Sequence, residues 1–134
     1  MQTVFIIDDD PIFQFLAAQG LNKFGIACEV RPFENGADAI RALSQADAEG
    51  SPWPMLMLLD LNMPVMNGWE FLEACAGLLG SRPIATQIYV VTSSISSEDR
   101  ERAFQYPMVA RFISKPIPIA EWNALQGLFS VSQP

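Results

Sequence analysis

The chain has 134 residues, the length of one domain, and half of them are hydrophobic, so a core can form without a disulfide or metal staple. Eight basic residues against 15 acidic ones leave a net charge of −7, which excludes the basic stripe of a general nucleic-acid binder and the polybasic face of an anionic-membrane binder. Histidine is absent, which excludes a Ser-His-Asp triad, a Cys-His dyad, His-ligated zinc and a phosphohistidine carried on this chain.

The first apolar run, Val4 to Ile7, stops at Asp8 and has no basic segment before it, so it reads as a strand rather than a signal peptide. Asp10 before Pro11 is a helix N-cap followed by a favoured first helical residue. The helix that follows has Phe13, Ala17, Leu21 and Phe24 on one face, and Gly25 is its stop. Ile26, Cys28 and Val30 alternate with polar neighbours as a second strand. Asn35 caps a helix carrying Ala37, Ile40 and Leu43, and residues 45–54, with Gly50, Pro52 and Pro54, are expected to form an unusually long loop.

Met55 to Leu59 is apolar throughout, as a strand buried on both faces must be. A loop with Pro64 and Gly68 leads to a helix with Phe71, Leu72, Cys75, Leu78 and Leu79 inward. Ile88 to Val91 is the fourth strand. Ser96 or Ser97 caps the next helix, and Glu98 and Asp99 suit its dipole; Pro107 marks its end. Phe112 and Ile113 lie in a fifth strand, and Ile119 to Phe129 is a last helix with Trp122, Leu125 and Phe129 at helical spacing. Cys28 and Cys75 both sit in apolar stretches and read as reduced core residues of a cytoplasmic protein. No apolar run approaches the length of a membrane span.

Five strands alternating with five helices define an α/β fold, a doubly wound parallel sheet with right-handed crossovers and helices on both faces. Ligands of such sheets sit beyond the carboxyl ends of the strands. Asp8 and Asp9 follow the first strand and Asp60 follows the third. Two carboxylates about 4 Å apart repel by about 4 kcal/mol at an effective dielectric near 20, so a cluster of them requires a proton, a lysine or a cation. Mg²⁺ accepts one or two carboxylates and a phosphate oxygen. Thr92 ends the fourth strand and Lys115 follows the fifth. Acids, a cation site, a hydroxyl and an ammonium together are the parts that stabilise a phosphoryl group.

Ile6-Ile7-Asp8-Asp9-Asp10-Pro11, the stretch from Leu58 to Gly68, Val90-Val91-Thr92-Ser93 and Phe112-Ile113-Ser114-Lys115-Pro116 resemble the receiver domain of bacterial two-component response regulators. The resemblance runs from about Thr3 to Phe129 and implies a flavodoxin-like strand order, 2-1-3-4-5. It implies that Asp60 is the phosphoacceptor, attacking the phosphorus of a partner's phosphohistidine. It assigns Asp8 and Asp9 to Mg²⁺, with Asp60 and the backbone carbonyl of Asn62. It assigns Thr92 and Lys115 to phosphoryl oxygens, Thr92 and Phe112 to the switch, and a cis bond to Pro116. Before phosphorylation Lys115 is expected to face Asp60. Asn67, where many relatives carry Asp, is expected to be a loop residue of little consequence.

The expected protein is one receiver domain over residues 1–134 with no output domain, phosphorylated by a sensor histidine kinase or a histidine phosphotransfer protein, and signalling through a changed surface to a protein target. It is expected to act in the cytoplasm, on neither nucleic acid nor membrane, and not as a turnover enzyme. Haloacid dehalogenase-type phosphatases also use a strand-end Asp-x-Asp, a later Thr and a Lys. Against that class, Ile12 stands where its motif has Thr or Val, Glu121 is the single acid after Lys115, and Asp60 would have no role.

Overall fold

The computed structural model describes residues 2–82, 84–93 and 96–132. Five strands, β1 (Gln2–Ile7), β2 (Cys28–Phe33), β3 (Leu56–Leu59), β4 (Gln87–Thr92) and β5 (Val109–Ser114), alternate with five helices, α1 (Pro11–Lys23), α2 (Gly36–Glu49), α3 (Gly68–Leu79), α4 (Ser97–Ala103) and α5 (Ile119–Ser132). All strands pair in parallel, in the order β2-β1-β3-β4-β5. The switch point lies between β1 and β3, where Ile7 is level with Leu59.

Side chains alternate across the strands and so divide the core in two. Phe5, Ile7, Met57, Leu59, Ile88 and Val90 pack with Leu43, Phe71, Leu72 and Cys75 of α2 and α3. Val4, Ile6, Leu56, Leu58, Tyr89 and Val91 pack with Phe13, Leu21, Trp122, Leu125 and Phe129 of α1 and α5. Every residue of β3 is fully buried, which is why that strand reads as an unbroken apolar run.

The caps follow local chemistry. The Asp10 carboxylate accepts from the Ile12 amide at 2.9 Å, the Asn35 amide oxygen from Asp38 N–H at 2.9 Å, and the Ser96 hydroxyl from Asp99 N–H at 3.0 Å. Three expectations need correction. Half of the loop expected over residues 45–54 is helix: α2 continues to Glu49 and ends on Gly50 at φ +69°. The segment Gln45 to Glu49 holds alanines and no breaker, and every Gly and Pro falls after it. The second strand begins at Cys28 and runs on to Phe33; Pro32 is tolerated because β2 is an edge strand. α4 closes at Ala103, ahead of Pro107, with Ala103 its one buried residue.

Candidate functional site

The register brings the acidic residues together. Asp8 N–H donates to Phe33 O at 2.9 Å, and Asp60 N–H donates to Ile7 O at 3.0 Å, so the strand ladders extend one residue into the site. Asp8 and Asp60 are buried, while Asp9 is exposed. One carboxylate oxygen from each of the three lies within 4.8 Å of the others.

Lys115 enters from β5. Its ammonium lies 2.8 Å from Asp8 Oδ2 and 3.9 Å from Asp60 Oδ2, and 4.6 Å from the centre of the Phe13 ring. Lys115 thus faces Asp60 as expected, but its nearer partner is Asp8. Asp8 is also the more deeply buried of the two, 1% exposed against 7% for Asp60. Asp8 Oδ1 accepts from Asp10 N–H at 2.9 Å, whereas buried Oδ2 meets the ammonium without an aligned hydrogen bond among the described residues.

Burial, followed by the Asp8 charge, pushes the Asp60 carboxyl up to about 6, against the pull of Lys115 and of the Asn62 and Leu61 amides. Burial also raises Asp8, opposed by Lys115 and the Asp10 amide. Such a cluster is crowded with negative charge and holds three carboxylates, all of them hard oxygen donors, against one ammonium. That donor set fits Mg²⁺.

Thr92 is fully buried at the end of β4, level with Ser114, and its carbonyl accepts from Lys115 N–H at 2.9 Å. Phe112 is buried beside α4 in the α2–α4 core. The Lys115–Pro116 bond is cis. Asn62 is exposed, with its amide directed at Asp60. The structure thus gathers Asp8, Asp9, Asp60 and Lys115 into one cluster, with Asn62 on its rim and the Thr92 backbone tied to Lys115; Phe112 stands apart in the core.

Residues the sequence reading passed over support this site. Asn67 is not an idle loop residue: it caps α3, and with Glu70 it forms a reciprocal capping box at 2.9 and 3.1 Å. The Asn-x-x-Glu spacing was the available signal. Gly68 lets α3 start against the backbone at the end of β3, since a Cβ there would stand 2.6 Å from Asp60 O. Gln14 reaches from α1 to three strand-end carbonyls, and nothing in the sequence marks it.

The chain belongs to the response regulator receiver domain family, whose model matches residues 4–125. It is similar to the sensor histidine kinase RcsC of Escherichia coli, 27% identical over 116 residues, which are 87% of this chain and 11% of that kinase. A two-component response regulator from Cytophaga hutchinsonii matches at 26% identity and a TM-score of 0.86, covering 98% of both chains. The receiver domain of the histidine kinase CKI1 from Arabidopsis thaliana, complexed with Mg²⁺ and BeF₃⁻, matches at 26% identity and a TM-score of 0.76, covering 96% of this chain and 90% of that one. Membership settles the choice against the phosphatase class: this is a receiver of two-component phosphorelay.

Proposed function

We propose that Asp60 accepts a phosphoryl group from a phosphohistidine on a sensor histidine kinase or a histidine phosphotransfer protein. The observation that carries the reading is the cluster of Asp8, Asp9, Asp60 and Lys115 at the carboxyl ends of β1, β3 and β5. An Asp60 oxygen attacks phosphorus, the phosphorus–nitrogen bond breaks, and the imidazole leaves with its electron pair and takes up a proton. Mg²⁺ would be held by Asp8, Asp9, Asp60 and the Asn62 carbonyl, and when bound it supplies charge neutralisation at the phosphoryl oxygens. Lys115 takes one phosphoryl oxygen and the Thr92 hydroxyl another.

The donor protein meets exposed apolar side chains as well as the acids: Ile12, Phe15, Val65 and Ile119, in the segments that follow β1, β3 and β5, are 63–82% exposed. In this reading residues 1–134 form one receiver domain that works in the cytoplasm. Its output is a protein contact made by α4, β5 and α5, with Phe112 as the switch side chain. It is a phosphoryl acceptor and not an enzyme acting on an external substrate.

Incubation with Mg²⁺ and acetyl phosphate, followed by intact mass, tests the assignment. One added phosphoryl group is expected on wild type and none on Asp60→Asn. Equal labelling of both proteins would overturn Asp60 as the acceptor.

A further inference from the structure

Gln14 lies on α1, outside every ligand set considered so far, yet its side chain ends where β1, β2 and the acidic loop separate. Its Nε2 donates to Ile6 O at 2.7 Å, to Asp8 O at 3.1 Å and to Phe33 O at 3.2 Å. Three carbonyl oxygens around one terminal atom identify that atom as the amide nitrogen. Ile6 is in β1, Phe33 ends β2, and Asp8 opens the loop that carries two of the three clustered carboxylates.

We propose that Gln14 is a positioning residue that clamps the Asp8–Asp9 peptide and so sets the geometry of the divalent-cation site. The inference rests on the metal reading given above and goes beyond it.

Asp8 is held at both ends of its backbone: its N–H donates to Phe33 O, and its C=O accepts from Gln14. Because the peptide is planar, fixing Asp8 C=O also fixes the direction of Asp9 N–H and the start of the Asp9 backbone. The clamp works against a real force. Asp8, Asp9 and Asp60 crowd like charges within 4.8 Å, and Lys115 answers chiefly Asp8. Asp9 is exposed, so no packing holds it in place. A restraint at the Asp8 carbonyl is what keeps this loop from relaxing outward when the cation leaves. Partners that orient metal ligands from behind commonly change affinity by about 10–100-fold when removed.

The test uses Gln14→Met, close in size without a donor, and Gln14→Asn, an amide one methylene too short. Leu43→Val, in the core on the far face of the sheet, is the control for lost stability. Calorimetric titration with MgCl₂ is expected to give about tenfold weaker binding in both Gln14 variants and wild-type affinity in Leu43→Val. In metal-free amide NMR spectra, the Asp9 and Asp10 signals should move or broaden in the Gln14 variants alone. Wild-type Mg²⁺ affinity in folded Gln14→Met would overturn the proposal and leave Gln14 a structural residue. No Mg²⁺ binding by wild type would instead remove the metal reading. The clamp is then decided on the metal-free spectra, where displaced Asp9 and Asp10 signals uphold it and unchanged ones overturn it.

Discussion

Asp60 is an acid whose folded value, about 6, lies above its ordinary 3.8. In the window between those values the folded protein binds a proton that the unfolded chain has released, so stability falls as pH rises through it. About two units at about 1.36 kcal/mol each amount to on the order of 3 kcal/mol, present below about pH 4 and lost by about pH 7. Asp8 shifts in the same direction and adds to the loss. The metal-free protein is therefore expected to lose urea resistance between pH 4 and 7 relative to Asp60→Asn, which should be the more stable of the two at pH 7. Millimolar Mg²⁺ should close the gap by binding the folded state alone. A constant difference between the two proteins across that range would show that Asp60 is paired structurally instead. Lys115 stabilises the folded state through its ion pairs. Its main partner is an aspartate 1% exposed, and the lysine side chain itself is 18% exposed, so the pair lies between the surface and buried limits. Lys115→Ala is expected to cost about 2 kcal/mol at neutral pH, more than a solvent-open pair with Asp60 would. A loss below about 0.5 kcal/mol in urea denaturation would mean that the Asp8 contact contributes little.

Among the elements, two helical glycines that look alike in sequence should respond oppositely to alanine. A Cβ on Gly20 of α1 would stand 2.3 Å from the Trp122 ring, which lies flat against that turn and stacks on Phe24. A Cβ on Gly77 of α3 would meet nothing within 4 Å. Gly77→Ala should therefore stabilise by about 0.5–1 kcal/mol through helix propensity. Gly20→Ala has the same gain, but displacing Trp122 from the α1–α5 seam costs about 1–3 kcal/mol, and the net should be a loss. Thermal melts of the two variants decide the point, and a raised midpoint for Gly20→Ala would show that the indole shifts freely. This contrast marks the boundary of what the sequence makes legible. Strand runs, caps and the acidic strand ends are local patterns, and Asp10, Asn35 and Ser96 were readable because a cap acts within three residues. The gathering of Asp8, Asp9, Asp60 and Lys115 was readable too, since alternation of strand and helix puts every strand end on one edge. Contacts between elements were not readable: Trp122 on Gly20, α3 against Asp60 at Gly68, and Gln14 on three carbonyls depend on distances that no spacing encodes. That Lys115 lies closer to Asp8 than to Asp60 is likewise a property of the folded sheet.

Across the whole molecule, the site and the proposed output surface meet at the paired ends of β4 and β5. Lys115 N–H donates to Thr92 O, which links the backbones of the two residues. From there β4 leads to α4 and β5 to α5. α4 is the element with least to lose by moving: it has seven residues and buries Ala103 alone. Its far end is tied to α3 by Arg102, 4.1 Å from the centre of the Trp69 ring, and by the Tyr106 hydroxyl just past α4 donating to Glu73. A phosphoryl group on Asp60 brings nearly two negative charges to an ammonium now engaged with Asp8, and charge-assisted bonds to it are the stronger ones. Lys115 should then transfer from Asp8 towards the new group and draw the Thr92 backbone with it, shifting the balance of the α4–β5–α5 surface. Amide NMR with beryllofluoride and Mg²⁺, a phosphoryl mimic, reads this directly. Wild type should show shifts running from Thr92 through α4 and the start of α5. Lys115→Ala should bind the mimic, with shifts confined to the loops around Asp60. Lys115→Arg should not restore the pattern, because a planar fork does not fit where a compact ammonium sits between two carboxylates and the Phe13 ring. If Lys115→Ala instead gives the full wild-type pattern, the lysine is structural, and the coupling must run through Thr92 alone.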